Sequence, residues 1–153
     1  MPVLAEMVIN MSDSGLIYTY DILPNDLESA GAASSAVKKL LGKIGASPMS
    51  IKKAAISMYE AEINAVIHAD GGQAIVELLP DKVIIKIADK GPGIPNVDLA
   101  MQEGWSTATS SIREMGFGAG LGLPNMKKYA DGFAIETTPG VGTTVTLEVN
   151  LKG

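Results

Sequence analysis

Apolar residues recur along this chain at two different periods, and the switches between them divide it into elements. Residues 1–24 alternate loosely, with Val3, Leu4, Val8 and Ile9, then Ile17, Tyr18, Tyr20 and Ile22, around Ser12-Asp13-Ser14-Gly15. Two short strands joined by a turn are predicted, although Met1 to Met11 would serve equally well as a loosely attached arm. Asn25-Asp26-Leu27-Glu28 is a capping-box-like start, after which Leu27, Ala30, Ala33, Val37, Leu40, Leu41 and Ile44 recur at helical spacing until Gly45. Ser47 as N-cap and Pro48 at the first helical position open a second helix, running to about Ala69. Its apolar face is expected to comprise Ile51, Ala55, Met58 or Tyr59, Ile63, Val66 and Ile67, and Asp70-Gly71-Gly72 ends it.

The second half changes to strand patterning. Ala74 to Leu79 and Val83 to Ala88 flank Pro80-Asp81 and read as a β-hairpin with near-continuous apolar character. Gly91-Pro92-Gly93-Ile94-Pro95 breaks regular structure, a short helix is expected over Val97 to Glu103, and Trp105 to Met115 reads as a long, mobile connection. A glycine run, Gly116 to Gly122, leads into a helix over Pro124 to Ala130; Phe133 to Thr137 and Thr143 to Leu151 then form two strands around Pro139-Gly140-Val141-Gly142. This order predicts an α+β two-layer sandwich, a mixed, mostly antiparallel sheet covered on one face by helices. Residues 1–15 form an arm or extra strand, and residues 16–153 a single domain.

Composition narrows the function classes. A chain of 153 residues, 46% hydrophobic and 19% charged, is long enough for one well-filled core. The net charge of −5, with no dense Lys/Arg cluster, speaks against a nucleic-acid partner. No apolar run reaches the length of a membrane span and no basic region precedes an apolar core at the N-terminus, so no membrane or export role is expected and a cytoplasmic location is. With no cysteine and one histidine, thiol and histidine-cluster metal sites are improbable.

Four stretches carry candidate chemistry. Gly116, Gly118, Gly120 and Gly122 fall at every second position, which lets the backbone take φ > 0 and approach a ligand closely. The helix that follows would aim free N–H groups at the same place, so a phosphate chain suits it, while a plain surface loop is the alternative. The spacing fits neither the P-loop nor the G-x-G-x-x-G fingerprint. On the second helix Glu60, Asn64 and His68 stand at four-residue steps and share one face, away from the apolar stripe. A carboxylate one turn from a carboxamide offers a general base beside an oxygen donor for a hard cation such as Mg²⁺. For Glu62 or His68 alone, a polar position on the wet side of the helix explains the residue. Asp89, at a strand end before Lys90-Gly91-Pro92-Gly93-Ile94, can accept from an exocyclic amine such as that of adenine, or simply serve a turn. Thr143-Thr144 after Gly140-Val141-Gly142 is a weaker signal, since threonines are common at strand starts.

Taken in order, Glu-x-x-x-Asn on a helix, Asp-x-Gly-x-Gly after a strand, Gly-x-Gly-x-Gly before a helix and Gly-Thr before the last strand resemble the GHKL ATPase family. The resemblance spans about residues 20 to 150. It implies a Bergerat ATP-binding fold, with ATP and Mg²⁺ bound between the helices under a mobile lid. Within the family the chain is most similar to the anti-sigma-factor serine/threonine kinases of the RsbW, RsbT and SpoIIAB type. Glu60 to Ala69 look like the signature helix of that branch, and Gly-Leu-Gly-Leu-Pro at 120–124 is closer to the RsbT-like form. The absence of upstream phosphoacceptor helices and of a following transducer leads to the expectation of a single ATPase domain rather than a complete histidine kinase.

By this resemblance Glu60 would activate the attacking hydroxyl and Asn64 would hold Mg²⁺. Asp89 would bind the adenine amine, Gly91 and Gly93 would shape the purine pocket, and Gly118, Gly120 and Gly122 would close over the phosphates. His68, Ile94, Gly116, Leu121, Leu123 and Thr143 complete the expected nucleotide site. The partners implied are a STAS-domain antagonist protein, as phosphoacceptor, and a sigma factor or PP2C-type phosphatase. Exposed apolar residues on the first helix or N-terminal strand would indicate a homodimer. One departure stands out: the branch carries an arginine just before the glycines, where this chain has Gly118 or Ala119, with Arg113 the nearest arginine and Lys90 and Lys127 the other cations. A kinase and a non-catalytic, nucleotide-gated binding module both fit this pattern.

Overall fold

Small residues along one long helix set the architecture. The computed structural model describes residues 10–11, 15–24, 30–68, 71–91, 101 and 122–151. Among these, six strands form one sheet: β1 (Asn10–Met11), β2 (Leu16–Ile22), β3 (Gly72–Leu78), β4 (Lys82–Asp89), β5 (Gly132–Thr138) and β6 (Gly142–Asn150). Three helices accompany them: α1 (Ala32–Lys43), α2 (Pro48–His68) and α3 (Gly122–Tyr129). The strand order is β1-β2-β3-β4-β6-β5, and every pairing among the described residues is antiparallel.

The alternation along the strands decides which face is covered. Tyr18, Val76, Ile85 and Leu147 lie in one row across β2, β3, β4 and β6, and Tyr20, Ala74, Ile87 and Val145 lie in the next. All eight are buried, whereas their neighbours on the opposite face, such as Thr19, Ile75, Lys86 and Thr146, are half-buried or exposed. The helices bury the first face. α2 contributes Met58 and Val66 together with Ala54, Ser57, Ala61 and Ala65, whose small side chains let α1 on one side and α3 on the other approach its backbone. Val37 and Leu41 of α1 and Leu123 and Met126 of α3 complete the same core. Full burial of each such aliphatic side chain contributes about 1.5–3 kcal/mol. The α+β two-layer sandwich is as expected, and among the described residues its sheet is antiparallel throughout.

The element boundaries show what the sequence pattern concealed. Ser47 caps α2 as expected, its Oγ accepting from the Ser50 N–H at 3.1 Å. The first helix does not continue back from Ala32: Ala30 and Gly31 form a turn, with Gly31 in the left-handed region at φ 96°. A glycine is required there because the Tyr59 ring packs where a Cβ would project. The capping box at 25–28 lies outside the described residues, as do the expected helix at 97–103, apart from Met101, and the connection at 105–115. Ile44, expected on the buried stripe, is 49% exposed, because α1 ends at Lys43 and Ile44 is its C-cap. On α2 it is Met58, not Tyr59, that enters the core, and Ala54 and Ala61 rather than Ala55 carry the stripe. The third helix opens at Gly122, two residues before Pro124.

Candidate functional site

The end of β4 and the outer side of α2 carry the candidate chemistry, and the fold builds them differently. Asp89 is the last residue of β4, at the point where β3 and β6 flank it with glycines. A Cβ on Gly72 would strike the Ala88 carbonyl, and one on Gly142, at φ 154°, would strike the Asp89 carbonyl. The three strand ends therefore close up as only glycine permits. In that space Asp89 Oδ1 accepts from the Gly91 N–H at 2.9 Å and from the Thr143 N–H at 3.1 Å. Thr143 is buried, and its Oγ1 shares a 2.9 Å hydrogen bond with Thr137 Oγ1 on β5. Both protein donors use the same carboxylate oxygen. Among the described residues Oδ2 receives none, so a second acceptor remains for an incoming amine.

Asp89, Gly91 and Thr143 thus come together. The turn reading of Asp89 holds as well, since its bond to Gly91 forms the turn. Gly93, Ile94, Gly116, Gly118, Gly120 and Leu121 lie outside the described residues. His68 is the last residue of α2, with its side chain outside the described set. Gly122 starts α3, and Leu123 beside it is 6% exposed within the core, where its side chain serves packing.

The second group centres on Glu60. It and Asn64 are half-buried, one helical turn apart on α2. Burial raises the Glu60 carboxyl above its usual value, and a hydrogen bond with the Asn125 side chain pulls it partly back. Asn125 is the fourth residue of α3 and was not anticipated from the sequence. Its signal was present, a carboxamide in the first turn of the helix that follows the glycine run, but only the packing of α3 on α2 gives it a partner. A carboxylate and a carboxamide oxygen one turn apart suit Mg²⁺, which takes oxygen donors and keeps several waters and phosphate oxygens of its own. Among the described residues no group of three or more His, Asp or Glu side chains could by itself hold a metal.

Glu62 requires a correction. Expected on the wet side of α2, it is 3% exposed and faces α1. Its Oε2 accepts from the N–H groups of Gly31 (3.0 Å) and Ala33 (3.2 Å), and its Oε1 from that of Ser34 (3.0 Å). These are the donors that the first turn of α1 leaves without partners. The physical reason is the helical period: two residues separate Glu60 from Glu62 by about 200° around the axis, so they meet different surroundings. At the other end of α2, Lys53 Nζ pairs with Asp131 at 2.9 Å and Ser50 Oγ donates to the Asn150 carbonyl at 2.7 Å. These contacts fix the helix against the sheet edge.

Comparison with known proteins bears on this geometry. The profile of the family described as histidine kinase-, DNA gyrase B- and HSP90-like ATPase matches residues 56–153. An anti-sigma F factor of Caldanaerobacter subterraneus subsp. tengcongensis is 35% identical over 100 residues, 62% of this chain and 65% of the relative. The serine/threonine-protein kinase RsbT of Bacillus subtilis is 33% identical over 86 residues, 54% of this chain and 59% of the relative. This chain thus aligns with less than two thirds of the length of either. A crystal structure of RsbU and RsbW domains from Mycobacterium tuberculosis superposes with a TM-score of 0.59 at 18% identity, covering 88% of this chain and 32% of the other, a likeness of fold.

Proposed function

The chain belongs to the histidine kinase-, DNA gyrase B- and HSP90-like ATPase family, and from that premise we propose that it is an ATP-dependent protein serine/threonine kinase of a partner-switching circuit. The observation that carries this reading is the half-buried Glu60, its carboxyl raised above the usual range, one turn before Asn64 on a helix within the matched region. A carboxylate of raised pKa is a stronger base than an exposed one. Glu60 would take the proton of a partner's serine or threonine hydroxyl as that oxygen attacks the γ-phosphorus. The bond to the β–γ bridging oxygen breaks and ADP leaves. Asp89 and Thr143 would receive the adenine, the free Asp89 Oδ2 accepting its amine, and Asn64 would hold Mg²⁺. Bound Mg²⁺ would neutralise phosphate charge, while the residues supply positioning, which does most of the work in phosphoryl transfer.

The names of the similar proteins, anti-sigma F factor and RsbT kinase, support the pathway. The proposed phosphoacceptor is a STAS-domain antagonist, and the regulated partner a sigma factor or PP2C-type phosphatase. No described helix is long and apolar enough to cross a membrane, and the proposed site of action is the cytoplasm. The second reading, a nucleotide-gated binding module without transfer, is favoured by one observation: Gly118 and Ala119 stand where the anti-sigma branch has an arginine.

Transfer of label from γ-labelled ATP to a purified STAS-domain protein separates the two. The kinase reading expects transfer by the parent protein, and expects Glu60→Ala to abolish it with ATP binding largely kept. Transfer by Glu60→Ala at the parent rate would remove Glu60 from the role of base. ATP binding without any transfer by the parent would support the module.

A further inference from the structure

Between Glu28 and Glu60 the chain holds no acidic residue, its longest stretch of that kind, yet five of its 12 Lys and Arg fall there: Lys38, Lys39, Lys43, Lys52 and Lys53. In a chain of net charge −5 this is a clear separation of charge. The stretch folds as the hairpin of α1 and α2. Lys39 and Lys43 stand two positions on from the buried Val37 and Leu41, about 200° around the axis of α1, and so lie on the side away from the core. Lys52 stands in the same way to the buried Ala54 on α2. These three lysines are exposed and have no ion-pair partner among the described residues, whereas Lys53 is paired with Asp131. Glu148, at the same end of the sheet, is paired with Lys82.

The tip of the hairpin adds apolar surface. Ile44 and Met49, 49% and 61% exposed, stand on either side of the turn, Ile44 directly after Lys43 and Met49 one helical turn before Lys52. At Gly42 and Gly45 a Cβ would meet open space, so no side chain rises between them. The hydroxyls here are used inside the protein: Ser47 Oγ accepts from the Ser50 N–H, and Ser50 Oγ donates to the Asn150 carbonyl. Apolar side chains and ammonium groups therefore make up the outward surface. A protein partner would need directional hydrogen bonds, about one per 100–200 Å² of interface. Lipid headgroups need only positive charge and an apolar group to insert, and a lysine stem lies along such a boundary with its charge in the headgroup layer.

We propose that the tip of the α1–α2 hairpin, Ile44 and Met49 beside Lys39, Lys43 and Lys52, is a docking surface for an anionic membrane. Ile44 and Met49 enter the boundary between headgroups and acyl chains, and the lysines meet the lipid phosphates. The contact lies on the bilayer and does not cross it, which no described helix is long and apolar enough to do. Negative charge elsewhere on the molecule opposes it weakly, because exposed charges more than about 8 Å apart are largely screened at physiological salt. Glu60 lies roughly 16 Å along α2 from Met49, so the docked tip leaves the candidate site uncovered. The docking surface is independent of the function proposed above.

The experiment is co-sedimentation of the full chain with vesicles of phosphatidylcholine alone and of phosphatidylcholine with about 30 mol% phosphatidylglycerol, at low and at physiological salt. The parent should bind the mixed vesicles, several-fold more weakly at the higher salt, and leave the neutral ones unbound. Lys43→Ala with Lys52→Ala should weaken binding about 30-fold at low salt, the attraction of two lysines to the surface. Ile44→Ser with Met49→Ser should weaken it about 10-fold. Lys86→Ala with Lys128→Ala removes the same charge from exposed positions elsewhere and should change binding by less than about 2-fold. Every substituted side chain is exposed, and far-UV circular dichroism checks that each variant is folded. No sedimentation with the mixed vesicles, equal binding to the neutral ones, or equal weakening by the Lys86 and Lys128 pair overturns the proposal. Binding of soluble polyglutamate through the same residues, with the vesicles left unbound, overturns it as well and assigns the surface to an acidic protein.

Discussion

Replacing Glu62 by alanine isolates the most consequential polar contact in the fold. The carboxylate is 3% exposed and answers three backbone donors of the α1 N-terminus at 3.0, 3.2 and 3.0 Å. No cation pairs with it among the described residues, so the positive end of α1 and those N–H groups hold the buried charge. Glu62→Ala leaves three donors without their acceptor. An orphaned buried donor costs about 1–3 kcal/mol, and three of them would cost roughly 3–9 if nothing moved. Partial unwinding of the first turn would let water reach some of them, so a net loss of about 3–5 kcal/mol is expected, comparable to breaking a buried ion pair. Glu62→Gln keeps one acceptor oxygen but turns an NH₂ toward the remaining donor, and should lose about half as much.

Set against a total stability of about 5–15 kcal/mol, the alanine loss is large. For a chain of this size each kcal/mol moves Tm by about 2–4 °C, so Glu62→Ala should melt roughly 6–20 °C below the parent. Urea unfolding followed by far-UV circular dichroism measures it directly, with a lower midpoint at unchanged slope. A loss below about 1 kcal/mol would refute the reasoning, since it would mean that water already serves those donors. A changed slope would point instead to an altered unfolded state, and Glu62→Gln would then decide.

Two further outcomes follow from other contacts. Gly142→Ala drives a Cβ into the Asp89 carbonyl; calorimetry should record a loss of about 1–3 kcal/mol, together with weaker ATP binding because the strand end that bears Asp89 must move, while Gly42→Ala, in the last turn of α1 with open space around it, should gain up to about 1 kcal/mol. Asp131 is held below its ordinary 3.8, first by the Asn150 N–H and then by Lys53. Its contribution is therefore complete above the ordinary value and lost as pH falls through the lower native one. Asp131→Asn should cost about 1 kcal/mol at pH 7 and progressively less below pH ~4, as read from Tm measured against pH.

What the sequence revealed and what it concealed divide along one physical line. Local spacing was enough to place Glu60 and Asn64 on one face of α2, Asp89 at a strand end and Ser47 as a cap, because each depends on residues within a turn or two. The approach of Thr143 to Asp89 spans 54 positions and depends on β6 lying beside β4, a pairing that local spacing does not show. Glu62 and Asn125 were concealed for the same reason. The cap of α1 comes from a residue 28 to 31 positions away, so no window around Asn25 could show that the helix begins after Gly31. Periodicity tells that two side chains point in different directions; it does not tell which neighbour waits in each. Glu60 and Glu62 make the point most sharply, as the same side chain two residues apart on one helix. α3 leaves the first half-buried and titratable, while α1 buries the second and occupies both its oxygens. What each carboxylate of α2 meets is therefore decided by the two helices packed on it as much as by its own sequence. A substitution that reseats either neighbour should alter the site without touching Glu60.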